Sequence, residues 1–387
     1  MTPDHQYSLR GYAQMLADRV RVDAYARALR TVVGPGSVVL EIGTGPGVMA
    51  VLACELGAKR VYAIESASII QVAREVAVAN QCADRIEFFE ALSTNVELPV
   101  PADVIVSDMR GILPLFAQHI PSIIDARRRF LAPGGTLVPK RDQIWAAVVE
   151  APQTYGDIVS AWDDNSLGQD LTPARRRAVN DYCQVRVKPE QLLTKPHLWK
   201  TLDYREIEDP DVRGNLEFII ERAGTGHGLL VWFDAELTDG IGFSNAPGAP
   251  EAIYGSLFFP WPQPVALLPG RAVCVDLRAK LTGDDYVWHW STRIQPASDS
   301  PDTPLRFEQS HLQGAILSLA SLHRQASDYV PQLSSEGLLH QRALKLMNGT
   351  STLEEIARQL TAEFPQQFPH WREALSYAGT LSQQFSR

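Results

Sequence analysis

The sequence predicts a doubly wound α/β domain, then an antiparallel β-barrel, then a small helical module. Three observations predict it. Between residues 38 and 139 short apolar runs alternate with helical patterns, the signature of a parallel sheet with crossovers. After Pro139 the runs become strand-like and are separated by Gly, Pro and Asp turns, which suits antiparallel pairing. Helical periodicity returns in the last part of the chain. With 387 residues, more than one domain is expected.

The elements follow in order. Leu16 to Val32 reads as an amphipathic helix. The buried runs are Val38 to Ile42, Arg60 to Glu65, Ile86 to Phe89, Asp103 to Ser107 and Gly135 to Val138, with a helix predicted over Ser68 to Asn80. Residues 1–139 form the first expected domain and 140–296 the second. Within the second, Ile144 to Val149, Leu229 to Phe233 and Tyr286 to Trp290 read as strands, and Thr172 to Asp181 as the one clear helix. The Ser/Asp/Pro stretch 297–304 has nothing to bury and reads as a linker. A helical module is expected over 305–387. In it, Leu338 to Met347 stops at Asn348-Gly349, the capping box Thr352 to Glu355 opens a second helix, and His370 to Phe385 forms a third.

Composition bounds the function. The apolar fraction is 45%, the charged fraction 21% and the net charge −9, which disfavours a nucleic-acid or anionic-membrane binder. The four cysteines form no Cys-x-x-Cys pair, so no structural metal is expected. No signal segment and no membrane-length apolar run is visible, so a cytoplasmic location is expected.

The strand Val38 to Ile42 runs into Gly43-Thr44-Gly45-Pro46-Gly47. Glycines there allow a tight turn and a close ligand approach. The second strand ends in Glu65, whose carboxylate can accept both hydroxyls of a ribose. Three readings compete. A dinucleotide site would want Gly at the sixth position, where Val48 stands. The glycines can also simply make a turn. An S-adenosylmethionine (SAM) site fits best, because Glu41 closes the first strand, Glu65 closes the second, and a phosphate-free ligand needs no basic anchor.

From about Tyr7 to Ile294 the chain resembles the protein arginine methyltransferase family. The segment Tyr12 to Arg21 resembles the family's N-terminal helix, Val39 to Gly47 and Gly57 to Glu65 its first two strands, and Gly242-Phe243-Ser244 a barrel motif. The resemblance implies that Met15 packs on the SAM thioether and Arg21 pairs with its carboxylate. Glu41, Gly43, Thr44, Gly45, Gly47, Glu65, Ser66, Leu92, Ser93 and Ser107 would complete the cofactor site. Residues at about 163–190 sit where the family carries a dimerisation arm, which implies a homodimer.

The departures bear on the acceptor. The family clamps a guanidinium with two glutamates; Asp108 stands at the first position and Ala117 at the second. Its Thr-His-Trp is Ala252-Ile253-Tyr254 here, and Thr94 replaces the glutamate that meets the adenine. Losing one carboxylate of a bidentate clamp matters. Arg110 adds a charge that disfavours a cationic acceptor.

The catalytic candidates are Asp108, Arg110 and Tyr254. Asp108 orients or deprotonates a nucleophile, or else caps a turn. Arg110 holds a substrate carboxylate or, slightly favoured, is a solvated loop charge. Tyr254 lines the acceptor pocket or sits in the core. His119 and His289 read as structural. The terminal module resembles a PqqD-like or winged-helix module, which implies capture of a leader peptide; a plain packing module is the alternative. The expected function is SAM-dependent methyl transfer to a peptide or small-molecule acceptor, in natural-product biosynthesis if a leader is captured. The alternative is a catalytically inactive SAM-binding partner or scaffold subunit.

Overall fold

The computed structural model describes residues 7–296 and 303–386; most of the expected linker, 297–302, lies outside them. The chain divides into two units, Met1–Ala315 and Ile316–Arg387.

The first unit opens with α1 (Leu9–Ala17) and α2 (Arg19–Val32). The single helix expected over 16–32 is therefore corrected to two. Asp18 breaks it, because its side chain accepts from Arg21 N as an N-cap, and an N-cap aspartate stands outside helical geometry. α2 buries Ala24, Tyr25, Ala28 and Leu29.

Then come β1 (Val38–Ile42), α3 (Val48–Glu55), β2 (Arg60–Glu65), α4 (Ile70–Ala79), β3 (Ile86–Glu90), β4 (Ala102–Ser107), α5 (His119–Phe130) and β5 (Leu131–Val138). The strands form a parallel sheet in the order β3-β2-β1-β4-β5. β1, β2 and β4 are almost wholly buried, as strands covered by helices on both faces must be. The order reverses beside β1, so β1 and β4 flank the switch point where such sheets open a ligand crevice.

The antiparallel part runs through β6 (Arg141–Val149), α6 (Pro152–Asp163), α7 (Thr172–Ala178), β7 (Cys183–Val185), β8 (His197–Asp203), β9 (Val212–Ile219), β10 (Gly224–Thr238), β11 (Ile241–Ser244), β12 (Ser256–Leu267), β13 (Ala272–Thr282), β14 (Asp285–Ile294), β15 (Leu305–Ser310) and α8 (His311–Gly314). One sheet has the order β7-β12-β10-β6-β8, with β11 on β10; the other is β15-β14-β13-β9. Trp261, Trp288, Trp290 and Phe259 are buried in a core continuous with that of the parallel sheet.

Two expectations change here. α6 was not foreseen, since it buries only Tyr155 and Val159 and shows no sustained stripe. Residues 305–310 were assigned to the helical module but form an edge strand on β14. Their alternation, with Phe307 and Gln309 buried and Arg306 and Glu308 exposed, is the period of a strand.

The second unit contains α9 (Leu319–Arg324), α10 (Ser335–Leu346), α11 (Leu353–Glu363) and α12 (Trp371–Phe385). Leu339, Ala343, Ile356, Leu360, Ala374 and Leu381 form its core. The capping box is present: Thr352 accepts from Glu355 N, and Glu355 accepts from Thr352 N. Among the described residues this unit has no strand, so the winged-helix expectation is corrected to a helical unit. Only a turn around Gly349 (φ 80°) joins α10 to α11, too short for a hairpin. No described helix is long and apolar enough to cross a membrane.

Candidate active site

β1 aligns Ile42 with Ile64 of β2 on one side and with Ser107 of β4 on the other. Their continuations, Gly43, Glu65 and Asp108, therefore leave the sheet together. A cleft of about 720 Å³ opens above them, lined by all the expected cofactor residues except Gly47.

The glycine turn is shaped from both sides. A Cβ on Gly45 would meet the Tyr12 ring at 3.0 Å, and one on Gly43 would meet Met109 Cγ at 3.0 Å. Both glycines thus keep a narrow cradle open. Gly47 does something else: it caps α3 at φ 82°, and a Cβ there would lie 2.9 Å from Ala73 Cβ. Gly47 does not line the cleft, and its lack of a Cβ lets α4 pack closely on the turn.

Glu65 accepts from Gly45 N and Ala67 N, both at 3.0 Å, which fixes its carboxylate beside the turn. Each oxygen keeps a lone pair for a further donor. Glu41 is buried, and burial pushes its carboxyl up to about 8 although Thr44 Oγ1 donates to it at 2.6 Å. It braces the turn from inside. Ser93 borders the cleft, whereas Thr94 is exposed. Ser107 Oγ is buried without a partner among the described residues.

Arg21 joins the two ends of the cleft. It donates to Met15 O at 2.7 Å and to Asp108 Oδ2, while its Nε is buried and unpartnered. Asp108 Oδ1 also accepts from Tyr254 OH at 2.9 Å and from Arg110 Nη1 at 3.1 Å. Burial pushes the Asp108 carboxyl up, but Arg21 and then Arg110 outweigh it and hold it below the ordinary range. It is an ionised, weakly basic carboxylate.

Arg110 is not a solvated loop charge. Its side chain has no exposure and donates to Asp142 from Nε at 2.8 Å and from Nη2 at 3.0 Å. It also donates to Tyr25 OH, with Phe233 and Phe243 5.7 and 5.8 Å from its carbon. So committed, it is closed to a substrate carboxylate, which corrects that reading too. Tyr254 is both core and site: it stacks on Phe243 at 5.8 Å and holds Asp108.

The sequence reading missed Asp142 and Tyr204. Tyr204 OH donates to Asp142 Oδ2 at 2.5 Å and lies 3.1 Å from His119 Nε2. Burial pushes His119 down to about 3, so it stays neutral within this network. His289 lies on β14, 3.8 Å from Glu308. The one local signal for Asp142 was an acid near the start of a strand whose later residues are apolar.

The residues fit SAM at the glycine-turn end: the cradle that a Cβ would fill, Glu65 and Arg21, whose Nε makes no hydrogen bond, all border one ligand-sized cleft.

Known proteins share parts of this sequence and fold. Residues 25–151 match the family described as ribosomal protein L11 methyltransferase, and residues 140–290 match the arginine methyltransferase oligomerization subdomain. The chain is 30% identical over 244 residues to a probable protein arginine N-methyltransferase 6 of Arabidopsis thaliana, covering 60% of this chain and 56% of the relative. It is 28% identical over 286 residues to protein arginine N-methyltransferase 6 of Xenopus tropicalis, covering 70% and 82%. The chain spans less than two thirds of the length of the first relatives it matches: 56% and 66% of two from A. thaliana and 61% of one from Danio rerio. Among solved structures, A. thaliana protein arginine methyltransferase 10 in an open conformation superposes with a TM-score of 0.69 at 22% identity, over 79% of this chain and 98% of that one. The Trypanosoma brucei PRMT1 enzyme-prozyme heterotetrameric complex with AdoHcy gives 0.71 at 17%, over 77% and 97%.

Proposed function

We propose that the chain is a methyltransferase of the protein arginine methyltransferase type, which its matches over residues 25–151 and 140–290 support, and that it transfers a methyl group from SAM to a peptide or small-molecule acceptor. The observation that carries this reading is the juxtaposition of the glycine cradle, Glu65 and Asp108 at the ends of three adjacent strands. SAM supplies a sulfonium-activated methyl group when bound. Glu65 accepts the ribose hydroxyls, with Ser66, Leu92 and Ser93 bordering the nucleoside. Arg21 serves the amino-acid carboxylate through Nε while Nη1 stays on Asp108, and Met15 packs at the thioether. Asp108, held by Tyr254, orients the acceptor, and α1 excludes water over the cleft.

Further parts of the proposal concern assembly. Residues 163–190 pair two copies, a reading supported by exposed Leu167 and, just before the segment, exposed Trp162 in α6. The helical unit captures a leader segment of a precursor peptide in natural-product biosynthesis, in the cytoplasm; exposed Leu338, Leu344 and Leu353 support it. Removing residues 316–387 then leaves SAM affinity unchanged and weakens only a leader-bearing acceptor.

A second reading is a SAM-binding partner without catalysis. It is favoured by one observation, that Asp108 already carries two guanidinium partners and is a poor base. Calorimetry with SAM, a Glu65→Ala control and labelled transfer to candidate peptides decides between them. Absence of SAM binding sinks both readings; binding without transfer to any acceptor selects the second.

A further inference from the structure

Four carboxylates border the cleft: Glu41, Glu65, Asp108 and Asp285. Glu41 and Glu65 lie at the glycine-turn end, engaged by Thr44 and by backbone N–H groups. Asp285 is exposed at the start of β14 and accepts from Tyr286 N. Asp108 stands between them, and its partners are already Arg21, Arg110 and Tyr254.

A guanidinium is recognised by paired, charge-assisted bonds to a carboxylate. Here Arg21 and Arg110 each already donate one charge-assisted bond to Asp108. Arg110 cannot turn aside to vacate them, because both oxygens of buried Asp142 hold it, and Tyr204 holds Asp142. Leaving would strand a buried charge. The cleft lining also includes Met109, Ile112, Phe116, Tyr182 and Trp288, with Gln118 and Gln184 among them.

Three of the four lone-pair positions of the Asp108 carboxylate are taken, so it can accept one more N–H. Its weak basicity suits a nucleophile that already carries a free lone pair near neutral pH. A neutral imidazole meets all of these conditions: it is uncharged, has one N–H to donate and one bare nitrogen. A guanidinium, an ammonium and a phenol each need a proton removed first.

We propose that the acceptor is a neutral imidazole, in a peptide histidine or a small molecule, and that the Arg110–Asp142 pair is the positioning element that excludes a guanidinium. This rests on the methyltransferase reading. The bare ring nitrogen forms the bond to the methyl carbon, the carbon–sulfur bond breaks with its electron pair left on sulfur, and the ring's other N–H proton departs to solvent.

The test uses the full chain, with SAM binding measured separately by calorimetry. Peptides differing only in one His, Arg, Lys or Tyr, together with free imidazolepropionate, are compared for binding in the presence of S-adenosylhomocysteine and for kcat/KM. The expected result is a preference for His over Arg of at least about tenfold, with kcat/KM rising with pH through about 6.5 as the acceptor loses its proton. Peptide His alone, or imidazolepropionate as well, identifies the source. In Arg110→Met/Asp142→Asn the His-to-Arg ratio shifts toward Arg; a merely structural role lowers both alike and leaves the ratio fixed. Failure to bind SAM removes the underlying reading. SAM binding with preference for Arg, Lys or Tyr, or with no imidazole bound, overturns this inference alone.

Discussion

Arg110 and Asp142 meet as a complete fork on a fork: two N–H groups of one guanidinium face both oxygens of one carboxylate, and neither side chain is exposed. The pair ties the loop after β4 to the first residues of β6, and so ties the cofactor sheet to the antiparallel sheets.

Breaking one side is expected to cost far more than removing both. Arg110→Ala strands the Asp142 charge and should lose about 3–5 kcal/mol, whereas Arg110→Met/Asp142→Leu should recover most of that loss. Urea denaturation of the three proteins measures the difference. Equal losses in both variants would show that the pair contributes shape rather than charge balance.

Glu65 holds the turn as well as facing the cleft. Glu65→Ala should weaken SAM binding by roughly 10- to 100-fold, as expected for losing hydrogen bonds to a charged group. Glu65→Gln keeps an acceptor and should fall between. Calorimetric titration reads both.

Gly47 sits against Ala73. Gly47→Ala should destabilise the first unit by about 1–3 kcal/mol through its positive φ and the new contact. Adding Ala73→Gly should recover the contact part only. If Ala73→Gly recovers nothing, the strain is purely in the backbone.

Stability should depend on pH with two opposing slopes. Glu41 is raised by burial to about 8, so the folded state binds the extra proton, and stability falls as pH rises from about 4.5 to about 8. His119 is lowered by burial to about 3, so the unfolded state binds the extra proton, and stability falls as pH drops from about 6.5 to about 3. Glu41→Gln should flatten the alkaline slope and leave the acid one, as read by denaturation midpoints from pH 4 to pH 9.

The cofactor half was legible because its signals are local: buried runs, a glycine turn and an acid closing the next strand all lie within 28 residues, Val38 to Glu65. The acceptor half was not. Arg110 and Asp142 are 32 positions apart, and each looks like an ordinary surface charge until the fold buries both. Asp18 looked like one polar residue in a continuous helix, yet its side chain ends one helix by capping the next. Nothing in the sequence shows that Ala73 comes to rest against Gly47.

Strand β15 decides where this chain can be divided. Leu305 to Ser310 pairs with His289 to Ile294, in a stretch that looks like the tail end of a linker. A cut before residue 305 would bare a row of backbone donors and acceptors along β14, an open template for strand addition by another chain. Such a fragment should be less stable than one that keeps β15, even with its cofactor cleft intact. A cut after Ala315 keeps the β14–β15 pairing, so the division of the chain falls beyond the Ser/Asp/Pro stretch rather than at it.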